Sequence, residues 1–429
     1  MLHCPQKVVV LWALVASFAS GPTQARPIVD DISVEYRKAL QTLWQDYKVE
    51  LLANYERRQE HTQRVLTYRD KTMKFSMERL GRKPAQGFPL YIALHGGGST
   101  PRRVNDRQWD HMKVYYKATV KKGIYVAPRG VADTWNLHFV SESYYLYHRL
   151  IENMIAFEEV DPNRVYILGF SAGGDGVYQI APRMSQRFAA ANMSAGHHNG
   201  VKLDNLYNTP FLIQMGELDI AYKRNRVAAQ NYIRLKDLQA EHGGYIHDAY
   251  IHPNHGHNGW RDNDQFGRPQ EVFASPDGWL IHRSRKLRTL DTNAIHWVRQ
   301  HQREAYPRRI IWDLETRAPT PLNNLNLWLK VEGRVDKGAR IDAEIMEGFQ
   351  TIRLNQVRGV ASLVIRVKPG MLDMNREIFV EIEGETLPPL MVECNTEVMA
   401  QTLEERGDPS LVACGEIHLI KSSEGRWFL

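Results

Sequence analysis

The chain has little cysteine, hardly any long apolar run and no internal repeat. Of its three cysteines, Cys4 precedes an N-terminal apolar stretch, which leaves Cys394 and Cys414 for the rest of the protein. The apolar stretch follows Lys7 and covers residues 8–19. That is short for a bilayer span, which takes about 20 residues. Small residues around Thr23-Gln24-Ala25 supply a cleavage point, so residues 1–25 are expected to be a secretory signal peptide and not a retained anchor. Cys4 lies before the apolar run and is not placed as a lipid-anchor cysteine. No other segment approaches transmembrane length. The expectation is an exported protein, secreted or periplasmic, with no stable membrane insertion. An oxidising compartment would permit a Cys394–Cys414 disulfide; two free buried cysteines are the alternative.

Charge of one sign is not concentrated either. The formal net charge is +6, with Lys and Arg mixed among Asp and Glu. The richest basic stretch, residues 283–288, has no interleaved aromatics. It is read as a solvated face, and nucleic acid is not an expected partner. Low-complexity segments are absent.

What is present changes character twice along the chain. Residues 30–63 carry Leu40, Leu43, Trp44, Tyr47, Leu51 and Leu52 at helical spacing, with Tyr55 beyond. This predicts an amphipathic helix, broken once, that packs on the body of the following domain. From Pro89 short apolar strands alternate with helical stretches. Strands are expected at 90–94, 123–127, 164–168, 209–215 and 245–251, and helices at 110–120, 143–158, 177–188 and 224–242. Such alternation predicts a mostly parallel α/β sheet with helices on both faces. Beyond about residue 305, strand-like runs at 326–331, 341–346, 361–367 and 377–382 are separated by turns such as Glu332-Gly333 and Pro369-Gly370. They predict a smaller all-β domain with a helix near 397–406. The expected organisation is a leader over 1–25, a helical arm over 26–84, an α/β domain over 85–305 and a β-rich domain over 306–429.

One run concentrates the chemistry. Tyr166-Ile167-Leu168-Gly169-Phe170-Ser171-Ala172-Gly173-Gly174 is an apolar strand ending in G-x-S-x-G. The pattern suits a sharp strand-to-helix turn that projects a serine hydroxyl above a sheet. By chance a G-x-S-x-G arises in about one chain of this length in ten, so its neighbours decide. Upstream, His95-Gly96-Gly97-Gly98 directly follows a strand. Its glycines can turn backbone N–H groups into a cavity, so Gly97 or Gly98, with Ala172, would form an oxyanion hole. Downstream, Asp219 leaves the end of the 209–215 strand; Glu217, in the same loop, is the alternative acid. Further on, His252, His255 and His257 follow the last strand. His257, after Gly256, is preferred as the base, with His255 the alternative. The same H-x-x-H-x-H spacing admits a metal reading, with His197 and His198 in support, but the serine turn and glycine loop would then have no task. Trp135 and Asn136 follow a central strand on the side where open α/β sheets bind ligands. They are expected to contact substrate, although Trp135 as core is the alternative. Asp175 either orients that loop or caps a helix.

The order Ser171, Asp219, His257 is the triad order of one fold class. In its glycine loop, serine turn, acid loop and histidine loop, the chain resembles secreted α/β-hydrolases, of the esterase and prolyl-oligopeptidase-like branches, over residues 85–300. The resemblance implies an α/β-hydrolase fold and a serine hydrolase that needs neither cofactor nor metal. Its substrate would be an ester, a decorated polysaccharide among the candidates. The stretch Pro128-Arg129-Gly130 to Asp133-Thr134-Trp135-Asn136 has no counterpart in the shared motifs. A prolyl-oligopeptidase-type peptidase is the nearer rival, although no N-terminal propeller repeat is present. A non-catalytic binding protein is the rival of another class.

Overall fold

Eight strands form the first sheet: β1 (Val65–Tyr68), β2 (Lys71–Leu80), β3 (Phe88–Leu94), β4 (Gly123–Pro128), β5 (Val160–Phe170), β6 (Ala190–Ser194), β7 (Phe211–Gly216) and β8 (His247–His252). Their order is β1-β2-β4-β3-β5-β6-β7-β8. From β4 to β8 every pairing is parallel, while β1 and β2 add an antiparallel edge. The computed structural model describes residues 31–262, 272–281, 293–319, 323–346, 348 and 350–429. The leader expected over 1–25 and the basic stretch 283–288 lie outside them. Among the described residues no helix is long and apolar enough to cross a membrane.

The sheet is parallel because its strands are apolar on both faces. Leu90, Ile92 and Leu94 of β3 pack into one core, whereas the alternate Tyr91 and Ala93 pack into another. Burying both faces requires helices on both sides, which parallel crossovers supply. α4 (Ser141–Glu158) and α5 (Ala172–Arg183) belong to the larger core, with α6 (Arg224–His242). The second face is covered by α3 (Arg102–Tyr115) and α7 (Ala294–Val298). A short hairpin, β9 (Val272–Ser275) with β10 (Gly278–Ile281), packs on α6.

The amphipathic segment is broken once, at Asn54. α1 (Asp31–Ala53) ends before Asn54, whose side chain accepts the Arg57 N–H and so caps α2 (Tyr55–Gln63). The helical arm stops there: within the span 26–84, Val65–Leu80 is the antiparallel β1–β2 edge of the sheet. The apolar stripe of α1 also faces a different partner. Tyr36 with Leu40, Leu43 and Tyr47 packs into the core of the C-terminal region, and Trp44 reaches both cores. The Tyr36 hydroxyl donates to the Val412 carbonyl at 2.7 Å. A periodic stripe specifies a buried face but not what covers it.

The C-terminal sheet is built on a long antiparallel pair, β13 (Leu329–Ile345) and β14 (Thr351–Val367). β11 (Arg309–Asp313) and β12 (Leu325–Asn326) pair with β13. On the other side lie β15 (Phe379–Ile382), β16 (Glu385–Thr386), β17 (Gly415–Lys421) and β18 (Trp427–Phe428). The Glu332-Gly333 turn expected from the sequence is not a turn. β13 runs through Gly333 (φ 71°) and Gly338 (φ 75°), with register shifts on either side of Val335. Glycines at positive φ serve here as bulges that bend a continuing strand. α8 (Thr396–Arg406) is capped by Asn395 and ends at Gly407 (φ 57°). A disulfide joins Cys394 to Cys414, on either side of α8.

Candidate active site

The loops after β3, β4, β5, β7 and β8 leave the carboxyl ends of parallel strands, so they converge on one edge of the sheet. Ser171 stands there at φ 59°, ψ −122°, between β5 and α5. That backbone state is costly for a side chain with a Cβ and is held only by tight surroundings. A Cβ on Gly169 would fall 2.1 Å from the Gly173 carbonyl oxygen, and one on Gly173 would fall 2.1 Å from that of Leu94. Both glycines of G-x-S-x-G are therefore demanded by close backbone approach.

Ser171 Oγ lies 2.8 Å from His257 Nε2, and His257 Nδ1 lies 2.7 Å from Asp219 Oδ2. Asp219 is buried and carries its carboxylate against Arg224 at 3.6 Å. With Nδ1–H donating to that carboxylate, Nε2 keeps a lone pair for the serine proton. The alternatives are occupied elsewhere. Glu217 accepts the Asn254 N–H at 2.8 Å, and the His255 ring meets the Pro253 carbonyl at 2.8 Å. His252 is buried, stacks on Trp260 at 3.9 Å and meets Gln214 at 3.1 Å. The three histidines of H-x-x-H-x-H thus sit in three separate environments. Among the described residues no group of three or more His, Cys, Asp or Glu is placed to hold a metal ion.

The glycine loop brings one correction. Gly97 (φ 114°) and Gly98 (φ 103°) both take backbone conformations that favour glycine. The Gly98 N–H, however, donates to Asn105 Oδ1 at 3.0 Å. Gly98 is therefore not a spare oxyanion donor. Gly97 remains, with Ala172 as the first residue of α5, where helix geometry leaves N–H groups without an intrahelical acceptor.

Below the loop, two buried histidines bracket its backbone. His95 Nδ1–H donates to the Gly96 carbonyl at 2.6 Å, and its Nε2 accepts the Gly130 N–H at 3.0 Å. His138 donates from Nε2 to the His95 carbonyl at 2.9 Å, and its Nδ1 lies 3.2 Å from the Tyr147 hydroxyl. Burial pushes His95 down to about 3 and His138 well below its ordinary value, so both stay neutral.

The stretch without a family counterpart now has a structural role. Arg129 is buried, pairs with Asp106 at 2.9 Å and with Asp133, and donates to the Gly130 and Ala132 carbonyls. It closes the loop that carries Trp135. The Trp135 side chain is 54% exposed and stands edge-on to Phe139, so it is not core. Its backbone runs beside Gly98: a Cβ added to that glycine would lie 3.7 Å from Trp135 Cα and 3.6 Å from Ala172 Cβ. Asn136 accepts from Thr134 at 2.8 Å. Asp175 serves a different loop, accepting the His197 N–H at 2.7 Å and the Asn199 amide at 3.1 Å. Asn105 and His138 escaped sequence reasoning, since a lone Asn or His carries no local motif.

No family model matches the chain, and no curated protein matches it. Several solved structures are similar over less than half of it. A thermostable esterase is 20% identical with a TM-score of 0.34, over 44% of this chain and 54% of that one. LpqC, a poly(3-hydroxybutyrate) depolymerase from Bordetella parapertussis, is 20% identical with a TM-score of 0.33, over 44% and 80%. A putative dipeptidyl aminopeptidase IV from Bacteroides ovatus is 17% identical with a TM-score of 0.35, over 46% and 32%. The chain thus spans about half the length of the thermostable esterase. With scores this low the likeness carries no functional weight.

Proposed function

We propose that this protein is a serine hydrolase of the α/β-hydrolase type, acting on carboxylic esters. The observation that carries the reading is the hydrogen-bonded chain Ser171–His257–Asp219. It joins residues 86 and 38 positions apart in sequence, with the serine held at positive φ. In this reading Ser171 Oγ attacks the acyl carbon while His257 Nε2 takes its proton. His257 then gives that proton to the leaving alcohol, and Asp219 holds the imidazolium. The Gly97 and Ala172 N–H groups stabilise the oxyanion; each such donor is worth about 2.7–4 kcal/mol. Water attacks the acyl-enzyme by the same base and releases the acid. Trp135 walls the pocket beside the glycine loop, with Asn136 next to it. The leader-like N-terminus and the Cys394–Cys414 disulfide support an exported location.

The test is labelling with a fluorophosphonate, read as a mass shift on the Ser171 peptide. A panel of acetyl, feruloyl, long-chain acyl and peptide substrates follows. Ser171→Ala should abolish labelling and lower ester turnover on the order of 10⁶-fold without unfolding the protein. Retained turnover in that variant overturns the mechanism. Peptide cleavage without ester cleavage moves the protein to the peptidases, and loss of activity with a chelator points to a metal.

A further inference from the structure

Asn105 is a buried carboxamide in the first turn of α3, seven residues after Gly98 and outside the glycine motif itself. Its hydrogen bonds all run to the two loops that frame the serine. Oδ1 accepts the Gly98 N–H at 3.0 Å and the Thr100 hydroxyl at 3.0 Å. Nδ2 reaches the Gly98 carbonyl at 3.1 Å, the Thr100 carbonyl at 3.2 Å and Asp133 Oδ1 at 2.8 Å. The side chain thus pairs with Gly98 as a second peptide group would, meeting both its N–H and its C=O. It also presses on the preceding residue: a Cβ on Gly97 would fall 2.1 Å from Asn105 Oδ1. Asp133, the third partner, is ion-paired to Arg129 and belongs to the loop of Trp135.

We infer that Asn105 is the positioning residue of the oxyanion loop. It consumes the Gly98 N–H so that Gly97 is the donor this loop offers to the reacting carbonyl, beside Ala172, and through Asp133 it ties that loop to the Trp135 wall. This inference rests on the serine-hydrolase reading above. Its chemistry is specific to a carboxamide. An alanine at this position satisfies neither Gly98 group. An aspartate would accept from Gly98 N–H but would set a carboxylate against the Gly98 carbonyl and Asp133. A freed Gly98 peptide can then turn, and Gly97 turns with it, so the loss falls on the tetrahedral state rather than on ground-state binding.

The experiment compares the wild type with Asn105→Ala, Asn105→Asp and Asp133→Ala on a chromogenic ester and with an arylboronic acid, which captures a nucleophilic serine as a tetrahedral anion. For Asn105→Ala we expect kcat to fall on the order of 10²-fold, the loss typical of one oxyanion donor, with KM within about threefold. Boronate affinity should fall by the same factor as kcat. Asn105→Asp should be at least as impaired. Asp133→Ala lies on a loop with a partly exposed carboxylate and carries the test should the Asn105 variants not fold; it should lose about tenfold in kcat with KM unchanged. A folded Asn105→Ala with wild-type kcat and boronate affinity overturns this inference alone, as does a loss confined to KM. A wild type that neither turns over esters nor takes the boronate overturns the serine-hydrolase reading, and this inference with it.

Discussion

Two polar interiors of this chain are built on opposite terms. One lies beneath the serine. Gln214 donates to Asp262 at 2.8 Å and to Asn192 at 3.2 Å, Asn192 reaches Ser194 at 3.0 Å, and the Ser194 carbonyl accepts the Ser171 N–H at 2.9 Å. Its one carboxylate, Asp262, takes hydrogen bonds from Gln214 and the Ala294 N–H, faces no cation among the described residues, and is pushed up to about 6 by burial. The other lies where the C-terminal module meets the α/β body. There Asp408 is fully buried and pairs with Arg303 at 2.8 Å and Arg187 at 3.5 Å. Burial alone would raise its pKa, but the two guanidinium groups hold it below the usual carboxylate range. Arg187 goes on to the Arg406 carbonyl at 2.5 Å, and Arg303 to the Gln186 carbonyl at 2.6 Å. The contrast separates two uses of a buried polar group. Under the serine, neutral amides fix a backbone position and leave a carboxylate under strain. At the junction, charge is matched with charge, so the module and the body share one interior instead of merely touching.

The sharpest way to break this contrast is to ask each region for the other's phenotype. His257→Ala should cost turnover on the order of 10⁴- to 10⁶-fold and leave the thermal midpoint nearly unchanged, because its ring is partly open and bonded only within the site. His255→Ala should stay within a few-fold of the wild type in the same assay. Equal losses at the two positions would undo the choice of base. Asp408→Ala should do the reverse. Removing one partner strands two buried arginines and costs about 3–5 kcal/mol in urea unfolding. Turnover per folded molecule should be unchanged at low temperature. A drop in kcat in the folded variant would show that the junction is coupled to the site.

How much of this was legible in the sequence follows from how local each determinant is. Gly169 and Gly173 stand within two residues of the serine whose turn they permit, so the elbow could be read directly. The order Ser171, Asp219, His257 could be read because strand ends are marked by apolar runs. Gly98 could not be resolved, since its N–H is consumed by Asn105, on a helix that begins at Arg102 and not at residue 110 as expected. β6 carries Ala190-Ala191-Asn192-Met193-Ser194, too small and polar to mark a strand, because those side chains serve the polar network beneath the serine. Gly333 looked like a turn because a glycine at positive φ has the same signature in a turn and in a bulge. The stripe on α1 was visible, but its partner was assembled from residues hundreds of positions away.

The disulfide offers a smaller test of the junction side. Cys394 and Cys414 are 20 residues apart, and closing a loop of that size is worth about 3 kcal/mol in the chain-entropy account. Reduction should lower the unfolding free energy of the C-terminal module by about that amount, read from urea unfolding, without changing fluorophosphonate labelling of Ser171. Loss of labelling on reduction would mean that the module props up the site.

Asp262 tests the other side, with the opposite sign. Its folded-state pKa, about 6, lies above the ordinary aspartate value of 3.8 because it is buried. The neutral form is the one the fold prefers, so the stability it contributes is full below about pH 4 and is lost as pH rises through 6. Asp262→Asn keeps an oxygen for the Gln214 and Ala294 N–H groups and never ionises. The variant should therefore match the wild type near pH 4 and exceed it by about 2–3 kcal/mol at pH 8, read from urea midpoints at the two pH values. The junction aspartate predicts the reverse: Asp408→Asn should be destabilising at pH 8, because its arginines remain charged and buried there. If both amide variants shift stability in the same direction at pH 8, the two interiors do not differ in the way their partners imply. If they diverge, the presence or absence of a facing cation is what sets the sign.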